Sequence, residues 1–244
     1  MFKFLKRMFR GGLKVFLRKC FFYSKDIPYH RSYSQVGEDL LLVGFLGDKW
    51  GWDYKGFYVD IGAFHPTMYS NTKKFYEVGW HGINVDASRE AISLFKKKRK
   101  KDINVNVGIG ITRGNLDYFQ LDNRPMSTFS KEFADAAIAR GDASLERIVK
   151  IPVITMEELL DTYLPENRHI DFISIDCEGL DLEILKSNNW DKYRPDFILI
   201  EIHTGGRNWE IPKGKVAEFL RQFGYELIGQ SCVTSLFGKR DIRS

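Results

Sequence analysis

Short β-rich runs that end on an acidic residue recur along this chain of 244 residues. The runs at 57–59, 82–85, 172–175 and 197–200 are each followed at once by an acid, namely Asp60, Asp86, Asp176 and Glu201. Runs of this length and composition are typical of buried parallel strands. Residues 103–109, 116–121 and 151–154 predict further strands by the same criterion.

Helical signals lie between these runs. Ser34 can cap a helix near Gln35, and Thr155–Glu158 has the form of a capping box. A helix that begins near Ala91 ends in the basic run 96–101, which we interpret as a solvated face rather than a phosphate site. Because strands and helices alternate, we expect an α/β fold with a mainly parallel, doubly wound sheet. The runs at 225–228 and 235–237 predict a closing antiparallel pair.

Residues 122–149 interrupt this alternation. They are rich in Ser, Asp, Arg and Ala. An insertion near the ligand edge of a sheet often forms a lid or a substrate wall, and a surface helix pair without a role in binding is the alternative.

The first 25 residues form a basic arm. They hold eight Lys or Arg and no acid, with apolar residues at every third or fourth position. This pattern predicts a cationic amphipathic helix that lies on an anionic membrane surface, or one that docks on the body or on another subunit. Gly11-Gly12 weakens a single helix here by roughly 2 kcal/mol relative to two alanines. We therefore divide the chain into an arm, 1–30, and one domain, 31–244.

The composition of the chain outside the arm limits the partners and the cellular compartment that we expect. Outside residues 1–25, 29 basic residues face 32 acidic ones, a net charge of −3. This balance does not predict nucleic-acid binding. Three dispersed cysteines without metal-ligand spacing favour a reducing, cytoplasmic setting, with the arm on the inner face of a membrane. We find no apolar run long enough to span a bilayer.

The acids at the strand ends indicate the ligand. The carboxyl ends of parallel strands meet at one edge of the sheet, where ligands bind. Several carboxylates there suit a cationic ligand with ribose hydroxyls better than a pyrophosphate. The glycine fingerprint of dinucleotide folds is also missing, since Phe64 and His65 follow Gly62 where glycines would be expected. The pattern therefore favours a sulfonium cofactor over NAD.

Five motifs occur in order along the chain: SQVGED at 34–39, FYVDIGA at 57–63, SNT at 70–72, GWHG at 79–82 and IDFISIDCEG at 170–179. This ordered set, from about Ser34 to about His203, resembles the FkbM family of S-adenosylmethionine-dependent methyltransferases. It implies a Rossmann-like, seven-stranded methyltransferase sheet with a C-terminal antiparallel strand. It also implies O-methylation of a sugar or secondary-metabolite hydroxyl. Asp86 departs from the Glu of many relatives, with equivalent chemistry.

The resemblance and the strand ends together suggest roles at the cofactor. Asp60 and Gly62 would line its methionine end, with Glu38 and Gln35 nearby. Asp86 would accept hydrogen bonds from the ribose hydroxyls, which requires an ionised carboxylate. The adenine would lie near Val107 and Gly108, and the sulfonium near Asp176.

A base would help a sugar hydroxyl to attack. His203 is the first candidate and Glu178 the second, with Asp176 beside them and Glu201 orienting a partner. The alternative is that Asp176, Glu178, Glu201 and His203 bind a divalent cation such as magnesium, which we rank below the metal-free route.

Three other interpretations stay open. The chain could be an NAD-dependent Rossmann enzyme, a non-catalytic cofactor-fold scaffold at the membrane surface, or a methyltransferase of macromolecules. Loss of function in Asp60→Ala with unchanged membrane association would favour an enzyme over a scaffold.

Overall fold

The computed structural model describes residues 31–50, 54–202, 214–232 and 234–240. The arm predicted at 1–30 and the candidate base His203 lie outside these ranges. In chain order, the helices are α1 Glu38–Trp50, α2 Lys73–Glu77, α3 Arg89–Lys98, α4 Lys131–Arg140, α5 Met156–Tyr163, α6 Asp181–Lys186 and α7 Lys215–Gln222. The strands are β1 Phe57–Ile61, β2 His81–Asp86, β3 Ile103–Asn106, β4 Gly108–Ile109, β5 Gly114–Leu121, β6 Leu145–Ile154, β7 Phe172–Ile175, β8 Phe197–Glu201, β9 Tyr225–Ser231 and β10 Thr234–Lys239.

Seven strands form the central sheet, in the order β3-β2-β1-β7-β8-β10-β9. β1 is parallel to β2 and β7, and β7 is parallel to β8. β10 is antiparallel to both β8 and β9. The predicted α/β class, with a mainly parallel sheet and a C-terminal antiparallel strand, is thus confirmed. The strand order reverses between β1 and β7, and ligands of such sheets bind at this switch point.

β1 lies at the centre because it can be buried on both faces. Phe57, Val59 and Ile61 join one buried apolar cluster, and Tyr58 joins another on the opposite face. Successive side chains of a strand point to opposite faces, so both layers of helices pack on this one strand. The ends of β1 and β7 are thereby held in register, with Ile61 opposite Ile175.

A second, three-stranded sheet corrects two of the strand predictions. Residues 103–109 form two strands that break at Val107, and β4 leaves the main sheet to pair with β6. β6 begins at Leu145 rather than Ile151 and pairs with β5 along its length. The early part of β6 is exposed and carries Glu146 and Arg147, so it lacks the apolar run that marks a buried strand. Residues 122–144 thus connect two paired strands, through a short 3-10 turn and α4.

Among the described residues, no helix combines the length and the apolar character needed to cross a bilayer.

Candidate active site

The turn after β1 brings two loops into backbone contact. Gly62 has a φ of +79°, and a Cβ built on it would lie 1.9 Å from the carbonyl oxygen of Asp176. The N–H groups of Gly62 and Ala63 both donate to the carbonyl of Val85, at 3.0 and 3.1 Å. Only glycine adopts this φ without strain and lets the loop after β7 approach this closely. Gly62 therefore fixes where the ends of β1, β2 and β7 meet.

An inner cavity of about 270 Å³ opens at this meeting point. It is lined by six residues that the sequence predicted for the site: Gly62, Asp86, Val107, Gly108, Asp176 and Glu178. Tyr118 of β5 and Phe129 of the segment between β5 and β6 also line it. These two rings pack with centroids 4.9 Å apart. The cavity is thus lined by polar groups at the strand ends and by these aromatic rings.

Asp86 is held in place by backbone donors. Its two oxygens accept the N–H groups of Phe64 at 2.8 Å and Ser88 at 2.7 Å. Burial raises the pKa of Asp86 to about 6, although these two hydrogen bonds act in the opposite direction. Each carboxylate oxygen can accept a further hydrogen bond, so Asp86 can receive two hydroxyl donors from a ligand in the cavity.

An outer cavity of about 840 Å³ adjoins the inner one. Gly62, Phe64, Asp176 and Glu178 line both cavities. Residues confined to the outer cavity include Gln35 and Glu201, and Phe133 of α4. Part of the segment 122–149 thus lines this cavity, and its role as a lid or substrate wall stays a prediction. Two ligands could occupy the two cavities and meet at the shared residues.

Three carboxylates converge at the junction of the cavities. Oxygen atoms of Asp176, Glu178 and Glu201 all lie within 4.8 Å of one another. Burial and the nearby carboxylates of Glu178 and Asp181 raise the pKa of Glu201, while a hydrogen bond with Asp176 lowers it. Oxygen ligands of this kind could also hold magnesium.

The sequence model of the Methyltransferase FkbM domain matches residues 60–227. The chain belongs to this family. The predicted family resemblance is therefore confirmed, and the protein carries an FkbM methyltransferase domain.

Solved structures give a weaker likeness. The human methyltransferase 10 domain containing protein shares 16% identity, with 94% of each chain covered and a TM-score of 0.43. The delta-N METTL16 methyltransferase domain shares 16% identity over 91% of this chain and 90% of its own, with a TM-score of 0.44. No curated protein matches the chain significantly.

Two residues predicted for the cofactor of this FkbM domain are buried and line neither cavity. Asp60 is buried and accepts the hydroxyl hydrogen of Thr72 at 2.7 Å. Burial raises its pKa to about 6. Glu38 is also buried, and its carboxylate accepts the N–H of Val36 at 2.9 Å. Neither is among the residues that line the two cavities.

Sequence reasoning missed several lining residues of the FkbM domain. Phe64 and His65 line the inner cavity directly after the central turn. The Nδ1 atom of His65 accepts N–H groups from Thr67 and Met68, at 3.2 and 2.9 Å, which places the proton of the neutral ring on Nε2. The position of Phe64 and His65 directly after a predicted strand was the available sequence signal. No sequence signal marked Tyr118 and Phe129, because the pairing of strands in the second sheet brings these two residues to the cavity.

Proposed function

We propose that this FkbM domain is an S-adenosylmethionine-dependent O-methyltransferase that acts on a hydroxyl of a sugar or a secondary metabolite. The observation that carries the proposal is the pair of adjoining cavities, which meet at Gly62, Asp176 and Glu178. Transfer between two molecules requires both to be held with their reacting atoms in contact. Membership of a methyltransferase family supports this assignment over an NAD-dependent enzyme or a scaffold.

The residues that line the inner cavity support binding of the cofactor there. Asp86 would hold the ribose hydroxyls, and Val107 and Gly108 would face the adenine together with the rings of Tyr118 and Phe129. Gly62 leaves room for close backbone approach, and Asp176 would lie near the sulfonium, which supplies an electrophilic methyl group when bound. The positive charge suits a site lined by carboxylates.

The outer cavity would hold the acceptor. Glu178 lies at the junction of the two cavities, and it is the candidate base among the described residues that would take the hydroxyl proton. Asp176 and Glu201 would orient the Glu178 carboxylate. The aromatic rings of Phe64, Tyr69 and Phe133 line the same cavity and can pack on the apolar face of a sugar ring. His203 stays a candidate base outside the described residues. Magnesium bound by the three carboxylates is the alternative means of activation.

Product analysis tests this proposal. Protein is incubated with S-adenosylmethionine labelled in its methyl group and with a panel of neutral sugars, glycans and polyketide-type alcohols. We expect label in an O-methyl product with wild type, and at least about hundredfold less with Glu178→Gln, since general bases contribute about 10²–10⁴ in rate. Exposed Glu166 provides the control substitution, Glu166→Gln. Label on nitrogen, or Glu178→Gln at wild-type rates, would contradict the proposed chemistry.

The basic arm supports a further part of the proposal, namely that the enzyme works at the cytoplasmic face of a membrane on glycans made there. Deletion of residues 1–25 should abolish binding to anionic liposomes at low salt and leave cofactor affinity intact. Full-length protein that ignores such liposomes would show that the arm has another role.

A further inference from the structure

Arg99 differs from the lysines that surround it in sequence. The run 96–101 was predicted to be a solvated face, and its five lysines are indeed exposed. Arg99 is instead 1% exposed. Helix α3 ends at Lys98, and Arg99 follows with non-helical φ and ψ of −121° and 63°. The change of backbone direction turns its side chain into the protein.

The guanidinium of Arg99 contacts one loop at three points. Nε and Nη2 donate to the carbonyl of Pro66 at 3.1 and 3.0 Å. Nη2 also donates to the hydroxyl of Ser70 at 2.6 Å, and Nη1 donates to that of Thr72 at 2.8 Å. A planar fork of donors can serve these three acceptors together, and the single ammonium of lysine cannot.

The charge of Arg99 is balanced from the other side. Nη1 lies 3.7 Å from a carboxylate oxygen of Asp102, which is itself buried. The hydroxyl of Tyr58 donates to Asp102 at 2.7 Å and accepts from Arg99 at 3.3 Å. Because Tyr58 belongs to β1 and Asp102 precedes β3, the arginine is fixed to the central sheet as well as to the loop.

The loop that Arg99 holds shapes both cavities. Phe64 lines both of them, His65 lines the inner one and Tyr69 the outer one. Phe64 and Tyr69 have φ values of 51° and 54°, in the left-handed region that non-glycine residues rarely adopt. Such conformations persist where the surrounding structure over-determines them. Arg99 contributes to that restraint through Pro66, which lies between these two residues, and through Ser70, which follows Tyr69.

The same contacts reach Asp60. Thr72 accepts from Arg99 and donates its own hydroxyl hydrogen to Asp60, at 2.7 Å. The sequence placed Asp60 at the cofactor, whereas the structure joins it to the loop through Thr72. Ser70 and Thr72 belong to the family motif at 70–72, and these contacts give that motif a physical role.

We propose that Arg99 is a positioning residue that anchors the loop 64–72 and thereby sets the shape of the cofactor and acceptor cavities. It touches neither ligand in this scheme and acts through Pro66, Ser70 and Thr72. The expected effect on cofactor affinity rests on the proposed function, whereas the anchoring of the loop does not.

Amide hydrogen exchange of the free protein tests the anchoring. In Arg99→Lys we expect amide exchange across 64–72 to become at least about tenfold faster, because the variant loses one or two hydrogen bonds to a charged group. Amides of β9 and β10 should exchange at wild-type rates. Lys97→Met removes a neighbouring exposed charge and should change nothing. Unchanged exchange at 64–72 in folded Arg99→Lys, or a uniform rise over the whole chain, would overturn the proposal.

A second pair of variants keeps the test decisive if Arg99→Lys does not fold. Thr72→Val removes the hydroxyl at nearly constant volume, and Thr72→Ser retains it. We expect faster exchange at 64–72 in the valine variant and near wild-type exchange in the serine variant. Equal behaviour of the two would overturn the proposal.

Titration of S-adenosylmethionine separates the two proposals. If wild type binds it, Arg99→Lys and Thr72→Val should raise the Kd by about tenfold or more, and Thr72→Ser should restore it. Wild-type affinity in these variants would overturn the effect on the cofactor cavity. If wild type does not bind it, the proposed function fails, and the exchange result alone decides whether Arg99 anchors the loop.

Discussion

Replacing Gly62 by alanine tests the geometry on which the site depends. The new methyl group would lie 1.9 Å from the carbonyl oxygen of Asp176, whereas contacts below 3.0 Å are essentially never seen for a real Cβ. The loops after β1 and β7 would have to separate by more than about 1 Å to relieve the overlap. Gly141 offers a matched control, because its φ is +78° and a Cβ there meets nothing within 4 Å.

Both substitutions strain the backbone, and only Gly62→Ala also creates a steric overlap. A left-handed conformation costs an alanine roughly 1–2 kcal/mol, and both variants carry this strain. Overlap in a well-packed region adds about 1–3 kcal/mol, and this applies to Gly62→Ala alone. We therefore expect Gly62→Ala to lower the free energy of unfolding by about 2–5 kcal/mol and Gly141→Ala by about 1–2 kcal/mol.

Denaturant unfolding measures these free energies, and calorimetric titration of S-adenosylmethionine measures the effect on the site. Gly62→Ala should weaken cofactor binding by at least about tenfold, because the shift displaces the backbone of Asp176 at the junction of the cavities. Gly141→Ala should bind as wild type does. Equal stabilities and affinities in the two variants would refute the close contact between the loops.

Further predictions concern protonation, metal and the pair of His169 and Asp196. Burial raises the pKa of Asp86 to about 6, and in the proposed function its ionised form accepts the ribose hydroxyls. Cofactor affinity should therefore fall about tenfold per pH unit below 6 in titrations from pH 8 to 5, and a flat profile would contradict this role. Treatment with EDTA should leave turnover unchanged if the metal-free route holds, and loss of turnover restored by magnesium would favour the alternative. The hydrogen bond to Asp196 raises the pKa of His169 above 6.5. The interaction of the two side chains therefore stabilises the folded state fully below pH 6.5, and this contribution is lost as the pH rises through the raised pKa. Since the His169 side chain is 51% exposed, His169→Gln should cost at most about 1 kcal/mol at pH 5.5 and less at pH 9 in urea unfolding; an equal loss at both values would contradict this.

The centre of the main sheet was predictable because β1, β2, β7 and β8 are buried on both faces. A strand such as β1 or β7 must be apolar along its length, so its end is visible where an acid follows. The acids then mark one edge, and this is how Asp86, Asp176 and Glu178 were placed before the fold was known. The information lies in each apolar run and the acid that ends it.

The second sheet and the surroundings of Arg99 and Asp60 depend on contacts between segments that are distant in sequence. The first half of strand β6 mixes exposed charged and exposed apolar residues without a regular period, so its extent follows from pairing with β5 and not from its own pattern. Arg99 lies in a run of lysines with the same charge, and only the end of α3 turns it inward. Asp60 lies inside β1, which continues to Ile61, and its carboxylate accepts from Thr72, so the apolar run 57–59 indicated neither the end of the strand nor the partner of this acid.

The proposed function requires a sulfonium cofactor to bind at the ends of β1 and β2. Calorimetric titration of S-adenosylmethionine, and separately of NAD, into wild type and Asp86→Ala measures this binding. Loss of two hydrogen bonds to a charged group should weaken binding by about 3–6 kcal/mol, more than about a hundredfold. We predict micromolar binding of S-adenosylmethionine to wild type, its loss in Asp86→Ala, and no binding of NAD. Absence of S-adenosylmethionine binding to wild type, or unchanged affinity in folded Asp86→Ala, would contradict this prediction.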